Sequence, residues 1–429
     1  MTINYDPFSE AARKDPFPSY RELRDEAPAY WCENTSAWII SRYEDVHRVL
    51  TEWESFSSDA MSSAILGIPP GVDPMKDPHA RQQLSALADA MPFSLQEFAG
   101  STTLITADGP KHLRMRNIAN RGFSPRQISA WEDRVRSIVS ELTDKLRSES
   151  SFDLVSDFTV PLPMTVIIEM LGVEPEYRHE FKRWSDGIIA GATGSGRAAG
   201  TATGGFAQAM GDMSRYLADV AEQRRAEPRD DLISLLVQSQ SEDRAEIETL
   251  SSIDLVLFGL VLLVAGNETT TNLLGNTCNA LLDHPQQLAQ AQSDPNLVPG
   301  LIEESLRFES PVQFVFRRAT HDVEIAGTKI PKNSFVAALI GSANRDEREF
   351  EDPDVFDIRR KSQGHLAFGF GNHYCMGSHL ARLEARISLE ALVHELPQLE
   401  RREPTVEYID SYLVRGPSRL ELVRKTAVG

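Results

Sequence analysis

The chain has 429 residues, 41% of them apolar and 25% charged, and a formal net charge of −19. That balance supplies material for a deep core and fits an ordinary globular protein. The acidic excess argues against general binding to nucleic acid or to anionic membranes.

In chain order, the opening "MTINYDPFSEAARKDPF" is polar and shows no signal-peptide or anchor pattern. "DPFPSYRELRDEA" predicts a helix, "AWIISRY" at 37–43 alternates as a strand does, and "EDVHRVLTEWESF" predicts a second helix. Residues 59–105, which hold "ILGIPPGVDPM", predict a long loop; in compact proteins such loops are commonly lids or binding segments. From 106 to 183 apolar residues recur at helical spacing, as in Ile128, Trp131, Val135, Ile138 and Leu142. Residues 187–205, "GIIAGATGSGRAAGTATGG", hold seven of the 26 glycines and predict a second loop over a site. Helical signals return from 206 to 308. Within them, "LVLFGLVLLVAG" at 255–266 is too short an apolar run to span a bilayer and is expected as a buried helix. "DVEIAGTKIPKNSFVAAL" predicts short strands broken at Gly327 and Pro331. A helix over 376–396 and a strand signal in "SRLELVRK" close the chain. No βαβ alternation occurs, so a mainly α fold with small β-sheets is expected rather than a doubly wound sheet.

The three cysteines, Cys32, Cys278 and Cys375, lie far apart without a C-x-x-C spacing. A disulfide framework is therefore not expected, and a reducing cytoplasm is. Cys32 and Cys278 read as small apolar fillers. Cys375 differs, because it stands in "FGFGNHYCMG" at 368–377. Gly369 and Gly371 can take backbone angles closed to other residues, so the chain can bulge close to a flat ligand. A helix begins beside Cys375, with Met376, Leu380, Leu383 and Ile387 on one apolar face. Backbone N–H groups and the dipole at a helix start stabilise a thiolate. Such a thiolate is a nucleophile, with His373 or His379 as its base, or it is a metal ligand. Zinc would want a second cysteine nearby, and there is none. A single axial thiolate to haem iron needs only this one.

The pattern Phe368-x-x-Gly371-x-His373-x-Cys375-x-Gly377 resembles the haem-binding loop of the cytochrome P-450 monooxygenases. Other segments resemble that family in the same order along the chain, from about residue 15 to about 422. "ADGPKHLRMR" at 107–116 is similar to its propionate-binding helix, and "LVLFGLVLLVAGNETTTN" to the long helix that crosses the haem. Glu304-Ser305-Leu306-Arg307 is similar to its E-x-x-R motif, and "ANRDEREFEDPDVFDIRR" at 343–360 to the segment that follows.

The resemblance implies one domain over 1–429, haem b with Cys375 as the iron ligand, and O2 as co-substrate. It implies that His112, Arg116, Arg317 and His373 hold the propionates, with Phe368, Gly369 and Gly377 shaping the loop. Ala265 and Gly266 carry little side chain and would leave room on the central helix for the cofactor. A mid-helix glycine costs about 1 kcal/mol relative to alanine, so a packing or functional reason is expected. Glu268 and Thr269 become the proton-delivery pair, an acid beside a hydroxyl. Many relatives carry aspartate where Glu268 stands. Glu304 and Arg307 become a buried structural ion pair rather than a surface pair worth about 0.2–0.5 kcal/mol.

The expected substrate pocket is lined by the two loops, Leu262, Ala265, Val312, Gln313, Phe314, Val315, Tyr412, Leu413 and Val414. Being mainly apolar, it predicts a hydrophobic small molecule of terpenoid, steroid, fatty-acid or macrolide type, hydroxylated or epoxidised. The chain has no flavin domain in its length, so the resemblance implies electrons from a ferredoxin and its reductase, in a cytoplasmic monomer. Between 109 and 131 the chain carries Lys111, Arg114, Arg116, Arg121 and Arg126 and no acid. Lys111 and Arg114, with Arg382, would then offer an acidic partner a docking patch. Alternatives are a peroxide-dependent haem-thiolate peroxygenase, against which the Glu268–Thr269 pair argues, a non-catalytic haem carrier, and a zinc or thiol enzyme.

Overall fold

A computed structural model describes residues 3–62, 76–94, 101, 103–193, 202–238, 252–361 and 364–425. Its backbone is mainly helical, with one five-stranded sheet and smaller sheets of two and three strands. The longest described helix, Ser252–Asp283, begins just before the apolar run 255–266 and runs well past it at the C-terminal end. By length and composition it is apolar enough to cross a membrane. Here it is the axis of the core instead, its apolar faces packed against other helices where it does not line the cavity. Helices Pro161–Met170, Ala202–Ala226, Val298–Phe308 and Ser378–Glu395 pack against it.

The five-stranded sheet has the spatial order Ala29–Cys32, Ala37–Ile40, Phe335–Leu339, Phe314–Ala319, Phe56–Ser57. Ala37–Ile40 pairs in parallel with Phe335–Leu339, Ala37 opposite Phe335. Phe314–Ala319 pairs antiparallel with Phe335–Leu339, Phe314 opposite Leu339. Successive residues of a strand point to opposite faces. Accordingly Ile40, Val336 and Ala338 pack with Val46, Val49 and Leu50, while Ile39, Ala337 and Leu339 pack with Tyr20 and Leu23. Both faces are buried, so "FVAAL" reads as an unbroken apolar run with no alternation.

The structure corrects both expected loops. Residues 78–90 of the first form a helix, Pro78–Ala90. Of the second, 187–193 belong to helix Arg178–Thr193 and 202–205 open helix Ala202–Ala226. The physical reason is helix contact: a Cβ on Gly187 would stand 3.1 Å from the Cβ of Ala209, so glycine there allows two helices to close. Of the two expected loops, residues 63–75, 95–100, 102 and 194–201 lie outside the described residues. The helix expected over 44–56 is Tyr43–Thr51, and Phe56–Ser57 belongs to the sheet. Cys32 and Cys278 are buried, as apolar fillers would be.

Candidate active site

A cavity of about 1170 Å³ opens between the central helix, the large sheet and the cysteine loop. Its wall includes Cys375, His112, Arg116, Arg317, His373, Phe368, Gly369 and Gly377. Across it stand Leu262, Ala265, Gly266, Glu268 and Thr269 from the central helix, with Val312, Phe314, Val315, Leu413 and Val414.

The cysteine loop owes its shape to backbone chemistry. Gly369 and Gly371 have φ of +69° and +68°, a region that costs other residues about 1–2 kcal/mol. The turn lets the Cys375 N–H donate to the Phe368 carbonyl at 2.8 Å, while Leu366 N–H donates to Asn344 Oδ1 at 2.6 Å. Burial pushes the Cys375 thiol up, and the N–H groups of Gly377 and Ser378 with the charges of Arg116 and Arg382 pull it back. A half-buried sulfur on the cavity wall under that pull is suited to a cation. The thiol-enzyme reading lacks its base: His379 is exposed, and His373 Nε2 is turned to Ser58 Oγ at 2.9 Å. Among the described residues no cluster of His, Cys, Asp or Glu could hold a metal by itself.

One end of the cavity gathers positive charge. The His112 and His373 rings lie 4.1 Å apart, and His373 Nε2 sits 3.5 Å from Asp108 Oδ1. Burial tends to raise the Asp108 pKa, yet hydrogen bonds from His373, Ser57 and Ser58 outweigh it and hold the carboxyl at about 2. Burial, then the charges of His373 and Arg116, bring His112 down to about 4. Its Nε2 is buried and has no partner. Arg317 is brought down to about 10 by burial, with the Phe316 carbonyl at 2.8 Å as acceptor. No carboxylate forms an ion pair with Arg116 or Arg317 among the described residues. A buried Arg317 and a half-buried Arg116 beside an orphaned imidazole nitrogen call for an anion, and a dicarboxylate cofactor such as haem fits.

On the central helix, Thr269 Oγ1 donates to the Ala265 carbonyl at 2.6 Å. Its lone pairs are thereby left to face the cavity. Burial raises the Glu268 pKa, and Asn272 Nδ2 reaches its Oε1 at 3.4 Å. Ala265 is open to the cavity, whereas Gly266 answers to packing: a Cβ there would meet Ile167 Cδ1 at 2.6 Å. Room for a cofactor is thus a reason for Ala265, and for Gly266 the packing against Ile167 is a second one.

Glu304 and Arg307 lie outside the cavity as a fully buried bidentate pair, both contacts at 2.8 Å. Arg307 also donates to the carbonyls of Asn344, Pro353 and Val355, and so ties down the segment leading to the cysteine loop. Three sequence expectations need correction. Gln313 is buried away from the cavity, its amide taken by Tyr20 Oη at 2.9 Å and the Ser310 carbonyl at 2.7 Å. Tyr412 packs edge-on to Phe8, Phe314 and Phe316 behind the sheet. Arg382 is committed internally: it grips Glu303 at 2.6 and 2.8 Å and stacks on Phe368 at 4.4 Å. Lys111 and Arg114 are exposed.

Sequence reasoning missed Ser58 and Asp108 behind His373, Asn272 beside Glu268, and Glu384. Only Asp108 had a linear signal, four residues before His112. Glu384 is buried at the cavity wall, its carboxyl pushed up to about 8, with Oε2 unpartnered.

Comparison with known proteins agrees with this geometry. The family profile described as Cytochrome P-450 matches residues 200–422. Cytochrome P-450 109 of Bacillus spizizenii is 36% identical over 415 residues, 96% of this chain and 92% of that protein. The 6-deoxyerythronolide B hydroxylase of Saccharopolyspora erythraea is 35% identical over 401 residues, 93% of each. The solved structure of CYP109Q5 from Chondromyces apiculatus superposes with a TM-score of 0.84 at 37% identity, covering 100% of both chains. The structure of CYP109E1 from Bacillus megaterium in complex with testosterone gives 0.80 at 33% identity, covering 96% of this chain and 100% of that one. A lone cysteine on a left-handed glycine turn, facing a threonine across a cavity with a cationic end, is thus matched along nearly the whole length by relatives, and the chain belongs to the cytochrome P-450 family.

Proposed function

We propose that this monooxygenase inserts one oxygen atom of O2 into a hydrophobic small molecule, by hydroxylation or epoxidation. The observation that carries the reading is the placing of Cys375 and the Glu268–Thr269 pair around one cavity. Cys375 Sγ would hold the iron, and His112, Arg116, Arg317 and His373 the propionates. Haem b, the cofactor of this family, supplies the activation of O2 when bound. Cys375 contributes negative charge from its thiolate, steadied by the Gly377 and Ser378 N–H groups.

Burial raises the Glu268 pKa, so its carboxyl takes up a proton more readily than an exposed one does. It holds that proton on a carboxyl oxygen one residue from Thr269. Thr269, anchored to the Ala265 carbonyl, offers its Oγ1 to receive a proton and pass its own into the cavity. The apolar wall of Leu262, Val312, Phe314, Val315, Leu413 and Val414 would bind and orient the substrate and exclude water. Relatives described as a 6-deoxyerythronolide B hydroxylase and as a testosterone complex support a substrate of that kind. We assign the chain to the cytoplasm as a single domain, with electrons from a ferredoxin and its reductase reaching Lys111 and Arg114.

Purified protein reduced under CO should show the red-shifted band of a thiolate ligand, and C375S should lose it. T269A should keep the band but consume electrons without yielding product, releasing peroxide instead. Equal product formation by T269A and wild type would overturn the proton-delivery roles. Turnover with peroxide that exceeds turnover with ferredoxin would favour a peroxygenase.

A further inference from the structure

The cavity wall carries one more ionised side chain with no task in the chemistry above. Arg81, on helix Pro78–Ala90, lines the cavity and is also solvent-exposed, so it stands at the opening. Leu84 and Ser85, three and four residues on, line the same wall, as positions i+3 and i+4 of one helix face must. No carboxylate pairs with the Arg81 guanidinium among the described residues, and its backbone N–H donates to the Asp77 carbonyl at 3.0 Å. The first helical turn holds no acid, so a cation lies at the end of the helix whose dipole disfavours it.

The rest of the wall does not balance that charge. His112, Arg116, Arg317 and His373 face the end where haem propionates belong. The carboxyls on the wall are Glu268 and Glu384, and burial biases both towards the neutral form. An apolar chamber with a guanidinium at its opening that no described carboxylate pairs, and a hydroxyl beside it, is complementary to an amphipathic anion.

We propose that the substrate is a hydrophobic carboxylic acid whose carboxylate pairs with Arg81 and accepts a hydrogen bond from Ser85 Oγ, while its apolar body fills the chamber. The inference deepens the monooxygenase reading and rests on it. Cationic amphiphiles would meet like charge at the entrance, and neutral steroids would leave Arg81 unused.

The test is a binding titration of the holoenzyme. Straight-chain acids of ten to eighteen carbons and a terpenoid acid are compared with their methyl esters and with matching amines. Displacement of iron-bound water is read spectrally and heat by calorimetry. A charge-assisted hydrogen bond weakened by exposure supports a preference of about tenfold for the best acid over its ester. That preference should shrink in high salt. It should vanish in R81Q and persist in part in R81K, with circular dichroism unchanged in both. The proposal is overturned if no acid binds, if acid and ester bind alike, if amines bind as well as acids, or if R81Q binds acids as wild type does. The CO band separates the two readings: a thiolate band in wild type with no acid preference sinks the substrate class alone, whereas absence of that band from wild type sinks the monooxygenase itself.

Discussion

Substituting Glu304 by glutamine probes the brace behind the cysteine loop. Both side chains of the pair have 0% exposure, so solvent cannot replace the lost charge. In wild type, Glu304 Oε1 also accepts from the Asp357 N–H at 2.9 Å and from Arg360 Nε at 3.3 Å. Glutamine preserves shape and one acceptor oxygen, but its NH2 group must face a guanidinium, donor against donor. Removing one charge from a buried pair costs about 3–5 kcal/mol. The three carbonyls held by Arg307 remain satisfied, which favours the lower part of that range, about 3–4 kcal/mol. At about 2 °C per kcal/mol for a large domain, E304Q should melt about 6–8 °C below wild type. The melt is followed by circular dichroism and by the haem absorbance together, since the brace and the loop should fail together. R307K is the companion: it keeps the charge but loses the fork that reaches two carboxylate oxygens and three carbonyls, so it should fall at least as far. An E304Q protein that melts within 2 °C of wild type would refute the reasoning.

Three further outcomes are expected. G371A forces a side chain into a φ of +68°, with its Cβ 3.3 Å from the Leu50 carbonyl, and should lower stability by about 1–2 kcal/mol in a urea titration. An unchanged midpoint would show the turn to be relaxed. R317Q removes a buried cation that fits a propionate, so haem transfer to apomyoglobin should quicken about 10–150-fold, the equivalent of about 1.5–3 kcal/mol, while the apoprotein is no less stable. An unchanged rate would mean that Arg317 holds something else. For Glu384 the sign follows from a folded-state pKa raised to about 8 against about 4.3 unfolded. Its neutral form is free of penalty below the unfolded value, and stability is lost as pH rises towards about 8. E384Q should therefore match wild type near pH 4 and exceed it increasingly up to pH 8, read as a pH series of melting temperatures. A constant difference would remove the titration from the account.

The cysteine loop was legible because its chemistry is local. Two glycines, a helix start and a thiol fall within ten consecutive residues, and the backbone angles at Gly369 and Gly371 follow from residue type. The helical class was legible for a similar reason, since apolar spacing survives without tertiary information. What failed depended on contacts across the chain. Gln313 and Tyr412 stand next to true wall residues in sequence, yet a partner hydroxyl on Tyr20 and a cluster of rings turn them away. Gly187 suggests a loop until its neighbour Ala209 is known. Ser58 supports His373 from more than 300 residues away, and Arg81 gains meaning only once its helix is seen against the cavity.

The parallel pairing of Ala37–Ile40 with Phe335–Leu339 has a consequence for how the protein is made. The N-terminal hairpin emerges from the ribosome roughly 300 residues before the strand that completes its sheet. At about 5–20 residues per second, it waits about 15–60 s with one edge unpaired and both faces uncovered. Closing so long a loop is entropically slow, and an unpaired apolar edge invites pairing with another nascent chain. Recovery of intact protein should therefore depend on translation speed and chaperone supply as much as on the stability of the finished fold.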